Sequence, residues 1–72
     1  GEVDIVLQDR RRRVVAIEVK AAASVNAGDF AAMRRLAEAC GDRFALGMVL
    51  YDSEKTISFG DRLHAAPLSL LW

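Results

Sequence analysis

From Phe44 to Tyr51 the chain carries no charged side chain: Phe44, Ala45, Leu46, Gly47, Met48, Val49 and Leu50 follow one another before the aromatic end. A strand without polar alternation has both faces buried, which is typical of parallel pairing inside an α/β sheet. That run asks for a parallel neighbour and a helix laid across the pair. Residues 14–20 supply the neighbour: Val15, Ile17 and Val19 oppose Val14, Ala16, Glu18 and Lys20, and β-branched density favours a strand. Between the two, Asn26 is a natural N-cap, and Asp29 favours the positive helix start. Phe30, Met33, Leu36, Ala37 and Cys40 then recur at helical spacing as one apolar stripe, closed by Gly41. Strand, helix and strand read as a βαβ unit with a right-handed crossover.

Upstream, Val3, Ile5 and Leu7 alternate with Glu2, Asp4 and Val6, and Asp9 to Arg13 forms a charged turn. Residues 3–8 and 14–20 are therefore expected to pair as an antiparallel hairpin. Downstream, Asp52 to Lys55 is a turn, Thr56 to Phe59 a short strand and Gly60-Asp61 a turn. Leu63 to Leu68 reads as an edge strand interrupted by Pro67, and Ser69 to Trp72 as a terminal turn that packs Leu70, Leu71 or Trp72 as a lid. The expectation is one α/β domain over residues 1–72. It has a mixed sheet with an antiparallel hairpin, one crossover helix, a buried parallel strand and C-terminal edge strands. Glu2 already sits inside a strand pattern and no initiator Met is present, so the chain is expected to be a fragment.

Ten basic and ten acidic residues cancel, so no net field steers the whole chain toward nucleic acid, and any such role rests on local patches. No apolar run approaches the roughly 20 residues that span a bilayer. No basic-then-apolar leader is visible, and the lone Cys40 fits a reducing compartment or simply a small apolar core position. The expected setting is the cytoplasm, without membrane contact.

The charges on the hairpin are the informative feature. Strand residues two apart share a face, so Glu2 goes with Asp4 and Glu18 with Lys20. If the turn centres on Arg11, Asp4 faces Glu18, with Cβ atoms roughly 4.5–5.5 Å apart. Two carboxylates so close repel, and one pKa rises unless a cation lies between them. Mg²⁺ or Mn²⁺ takes oxygen ligands, so two acids beside a lysine suit metal-assisted hydrolysis of a phosphate ester. The other reading is a solvated hairpin face with a Glu2–Lys20 surface ion pair. Val6, Val14 and Ala16 share that face and make it mixed rather than polar.

Asp4, a spacer and then Ile17-Glu18-Val19-Lys20 resemble the D…(D/E)xK signature of the PD-(D/E)xK phosphodiesterase superfamily, and Gly1 to Val6 is similar to a strand of its resolvase-like members. The whole chain is more closely similar to the C-terminal domain of unknown function on predicted bacterial and archaeal AAA-type ATPases. The segments that carry this are Glu18 to Val25, Asp29-Phe30, Leu36-Ala37-Glu38, Gly41 to Phe44, Gly47 to Tyr51 and Ala66 to Trp72. The resemblance implies a truncated restriction-endonuclease-like core lacking its first helix, with an ATPase module upstream and DNA as partner. It implies Asp4 and Glu18 as ligands of Mg²⁺ or Mn²⁺, the Val19 carbonyl as a further ligand, Lys20 as the catalytic lysine and Glu2 as an accessory acid. The missing helix would leave sheet surface bare, and a homo-oligomer would cover it.

Arg10, Arg11, Arg12 and Arg13 either grip phosphates beside the metal site or form a solvated loop. Ser24 is a further candidate phosphate ligand, set against a capping role. Arg34 and Arg35 are expected to pair with Glu38. His64 has no second His or Cys at ligand spacing, so zinc is not expected. No Gly-rich phosphate loop is present, so this chain is not expected to bind ATP itself.

Overall fold

The structure, a computed structural model, describes residues 3–71. Strands β1 (Ile5–Gln8), β2 (Val14–Lys20), β3 (Phe44–Tyr51), β4 (Ile57–Ser58) and β5 (Leu63–Pro67) form one sheet in the order β1-β2-β3-β5-β4. β2, β3 and β5 are parallel, β1 is antiparallel to β2, and β4 is antiparallel to β5. Helix α1 (Ala31–Cys40) makes the crossover from β2 to β3. The expected α/β class and mixed sheet are present. The readings made for Glu2 and Trp72 lie outside the described residues.

The hairpin turn is held by one side chain. The Asp9 carboxylate accepts the amides of Arg11 and Arg13 at 2.9 Å each and Arg13 Nε at 2.6 Å. Those bonds, the Arg13 amide first among them, hold the Asp9 carboxyl below its ordinary value. Arg12 takes φ 63°, a left-handed conformation that closes the turn. The register follows: Ile5 faces Ile17, Val6 faces Ala16 and Gln8 faces Val14. The turn is centred as the sequence suggests.

At the other end of β2 the chain enters the 3₁₀ turn Ala27–Phe30. Asn26 accepts the Gly28 amide at 2.9 Å, and Asp29 accepts the Asn26 amide at 2.8 Å, so the two form a capping box. α1 follows directly and ends at Gly41, φ 58°, where only glycine turns the backbone without strain. Phe30 and Met33 are fully buried against Val14, Ala16, Phe44, Val49, Tyr51, Leu63 and Ala65. The Phe30 ring stacks on Phe59 with centroids 4.8 Å apart. A Cβ on Gly47 would lie 2.8 Å from Leu63 Cδ2, 2.9 Å from Phe44 Cζ and 3.0 Å from Met33 Sδ. Glycine is thus what lets the helix stripe approach the centre of the sheet.

The helix covers one face only. On the other, Ile5, Leu7 and Val19 are 46%, 54% and 42% exposed, and Val15, Ile17, Leu46 and Met48 are half-buried.

Three local expectations are corrected. Leu63–Pro67 is an inner strand between β3 and β4, and the outer place falls to the two-residue β4. Leu63, Ala65 and Ala66 are buried on both faces of that strand, which needs a neighbour on each side, and Pro67 comes only at its end. Leu70 in the closing 3₁₀ turn Leu68–Leu71 is 66% exposed and so is not the lid residue, while the Leu71 side chain and Trp72 lie outside the described residues. Arg34 Nη2 donates to the Phe59 carbonyl at 2.8 Å, tying α1 to the turn after β4 instead of pairing with Glu38.

Candidate functional site

Asp4 precedes β1 and departs from the regular ladder. Its amide donates to the Ile17 carbonyl at 3.1 Å, and its Oδ2 accepts the Val19 amide at 2.7 Å. The carboxylate therefore sits at the edge of β2, where a backbone carbonyl would otherwise have met Val19. The N–H and C=O of one strand residue point to the same edge, so the Val19 carbonyl also faces the β1 side. Asp4 is solvent-exposed.

Glu18 is next to it along β2 and differs in every respect. Its side chain turns to the helix-covered face and keeps only 7% of its exposure. Oε1 is buried and has no hydrogen-bond partner among the described residues. Burial first pushes the Glu18 carboxyl up from its ordinary value of 4.5; the charges of Asp4 and Asp29 push the same way, and nearby positive charge, with Lys20 the smaller part of it, opposes them. A buried acceptor without a donor is costly and calls for a proton or a cation.

Lys20 closes the group without bonding Glu18. Its Nζ lies 2.7 Å from Asp29 Oδ2. That oxygen also takes the Asn26 amide, so a single atom joins the lysine to the start of the helical segment. The Lys20 bond first and the Asn26 amide second hold the Asp29 carboxyl below its ordinary 3.8. The sequence reading gave Asp29 only a capping role and missed its contact with Lys20. A signal existed: a crossover helix begins above the carboxyl ends of the strands, so a first-turn acid meets a side chain at the end of β2.

Asp4, Glu18, Val19 and Lys20 are thus gathered at one end of β2. The arginine turn is not. Arg11, Arg12 and Arg13 lie at the start of β2, and at about 3.3 Å per strand residue Arg13 is roughly 16 Å from Glu18. These arginines do not stand beside the acids, because the hairpin puts its turn and its open end at opposite ends of the sheet. Ser24 is exposed in the loop after Lys20, on the side of the acids. His64 faces Met48 and Ser58 across the sheet.

Two carboxylates, one orphaned and one with an oxygen to spare, and a backbone carbonyl match the hard oxygen donors that Mg²⁺ or Mn²⁺ takes, with water completing the shell. Among the described residues no group of three or more His, Cys, Asp or Glu converges as a ready metal cage. A shallow recess of about 420 Å³ opens nearby at the carboxyl ends of β3 and β5, lined by Tyr51, Asp52, Ser53, Glu54, Leu68 and Ser69. Its floor is fixed: Tyr51 OH donates to the Lys55 carbonyl at 3.0 Å, and the Asp52 amide to the Ala22 carbonyl at 2.9 Å.

A family model described as a domain of unknown function, DUF4143, matches residues 1–71. No curated protein and no solved structure matches the chain.

Proposed function

The chain belongs to the DUF4143 family, and from that premise we propose that it is a nuclease-like domain that binds Mg²⁺ or Mn²⁺ at Asp4 and Glu18 and hydrolyses phosphodiesters in DNA. The observation that carries this is the buried Oε1 of Glu18, without a partner among the described residues, beside the Asp4 carboxylate. The D…(D/E)xK resemblance supports it, and the similarity to C-terminal domains of AAA-type ATPases supports an ATPase module as neighbour in the cell. Asp4, Glu18 and the Val19 carbonyl would hold the ion. A divalent ion in such a place neutralises phosphate charge and lowers the pKa of a bound water. Lys20 would donate to a phosphate oxygen and stabilise the charge that builds there. In the hydrolysis, a water oxygen bonds phosphorus, the bond to the leaving sugar oxygen breaks, and that oxygen takes a proton.

The test uses the chain itself. Supercoiled DNA with MnCl₂ is expected to be nicked, and Lys20→Ala is expected to lower the rate at least tenfold while keeping the far-ultraviolet circular dichroism of the parent. No nicking by the parent, or equal nicking by Lys20→Ala, would sink the proposal.

A second reading is an accessory module that assembles with a copy of itself, and the exposed outer strand favours it. Ile5 to Gln8 carries neither charge nor proline, the usual protections of a sheet edge. The strand has an acid, Asp4, at one end and the arginine turn at the other. An antiparallel copy sets each acid toward the other chain's arginines, an isologous arrangement. Light scattering is expected to give a dimer mass that Val6→Lys reduces to a monomer. A monomer for the parent at high concentration would refute this reading.

A further inference from the structure

We propose that Asp29 is the positioning residue for Lys20, fixing the ammonium at the Glu18 end of β2 through a carboxylate that the Asn26 backbone amide orients. This rests on the phosphodiesterase reading for its purpose, though not for its geometry. Lysine is a point charge on a flexible stem and is not oriented by its own shape. Left free, Lys20 has an obvious partner in Glu18, which lies on the same strand and whose Oε1 accepts nothing from the described residues. Instead the ammonium lies 2.7 Å from Asp29 Oδ2, with both side chains partly shielded, a short charge-assisted bond. The same oxygen receives the Asn26 amide at 2.8 Å, and Asn26 in turn accepts the Gly28 amide at 2.9 Å. Asp29 is therefore oriented from behind before it meets the lysine. Two consequences follow. Lys20 is held short of ion-pairing with Glu18, so the acid's oxygen stays open to a cation. The lysine's position also becomes a property of the helical segment rather than of the strand that carries it.

Two substitutions separate positioning from mere capping. Asp29→Asn keeps an oxygen that accepts the Asn26 amide but removes the charge that holds Lys20. Asn26→Ala removes the bond to the Gly28 amide but leaves the Asp29 carboxylate. The readout is the Lys20 ammonium signal in a ¹⁵N–¹H spectrum, visible when the group is immobilised and slow to exchange. It is expected in the parent, in Asn26→Ala and, shifted, in Asp29→Glu, and to be lost in Asp29→Asn. Nicking by Asp29→Asn is expected to fall at least tenfold and to return in part with Asp29→Glu, whereas Asn26→Ala loses melting temperature and keeps its rate per folded molecule. An unchanged Lys20 signal in Asp29→Asn would overturn the positioning role. If the parent cuts no DNA, the phosphodiesterase reading fails, and the ammonium signal still decides the positioning.

Discussion

Glu18→Gln is expected to melt at a higher temperature than the parent at pH 7 without metal, and to lose all stabilisation by Mn²⁺. The first effect comes from burial. A carboxylate with 7% exposure and one oxygen without a donor lacks the hydration it had in the unfolded chain. An unsatisfied buried polar group costs about 1–3 kcal/mol, more when charged, and in a chain this size each kcal/mol moves the midpoint by about 4–8 °C. The second effect comes from chemistry, since an amide is a weak ligand for a hard cation. The pH dependence has a definite sign. The folded carboxyl titrates above 4.5 and the unfolded one near it, so between the two the native state binds more protons. Stability therefore rises as pH falls through the folded value, and the gain is complete below 4.5. Asp29 acts oppositely: its folded value lies below 3.8, so its contribution is present above that pH and is lost as pH falls further. Melting curves of both proteins from pH 8 to pH 3, with and without MnCl₂, check the argument. A glutamine variant that melts lower than the parent at pH 7 and still gains from Mn²⁺ would remove the physical basis of the site.

Phe30→Ala is expected to lose roughly 3–5 kcal/mol of stability, among the largest losses from any single core truncation in this domain. The ring is fully buried, stacks on Phe59 at 4.8 Å and wedges the start of the helical segment against the sheet. Removing a buried phenylalanine costs roughly 3–5 kcal/mol. A domain of this length has roughly 4–11 kcal/mol in total, so the loss takes from about a quarter to all of it. A denaturant midpoint in circular dichroism lowered by that free energy is the check. A shift worth less than about 1 kcal/mol would mean that Phe30 anchors little. Because Phe30 follows Asp29, any folded remnant should also show a loosened Lys20.

The architecture was largely legible because its signals are long. The unbroken apolar run of β3, the alternation of β2 and the stripe Phe30, Met33, Leu36 each span several residues and agree with one another. The hairpin register was legible because the turn centres where the charged residues end. β5 was misplaced because Pro67 suggests an edge, whereas the small buried alanines before it demand neighbours on both sides. The gathering of Asp4, Glu18 and Lys20 followed from strand spacing. What spacing does not carry is which atom each side chain chooses. Asp4 spends one oxygen on the Val19 amide, Lys20 turns to Asp29, and Glu18 goes under the helix. Those choices are settled by contacts between segments far apart in the chain. The arginine turn was joined to the acids by charge logic alone, and strand length separates them.

β1 is an outer strand with a single partner, while β2 and β3 each have two. Local opening starts at such rims, where the fewest contacts must break. Asp4 belongs to the part that lets go first, and Glu18 and Lys20 to the part that lets go last. An ion shared by Asp4 and Glu18 would then act as a stitch between hem and cloth. Its dissociation constant would include the free energy of keeping the outermost ribbon in place, and a fault in the arginine loop, far from either acid, would loosen its hold.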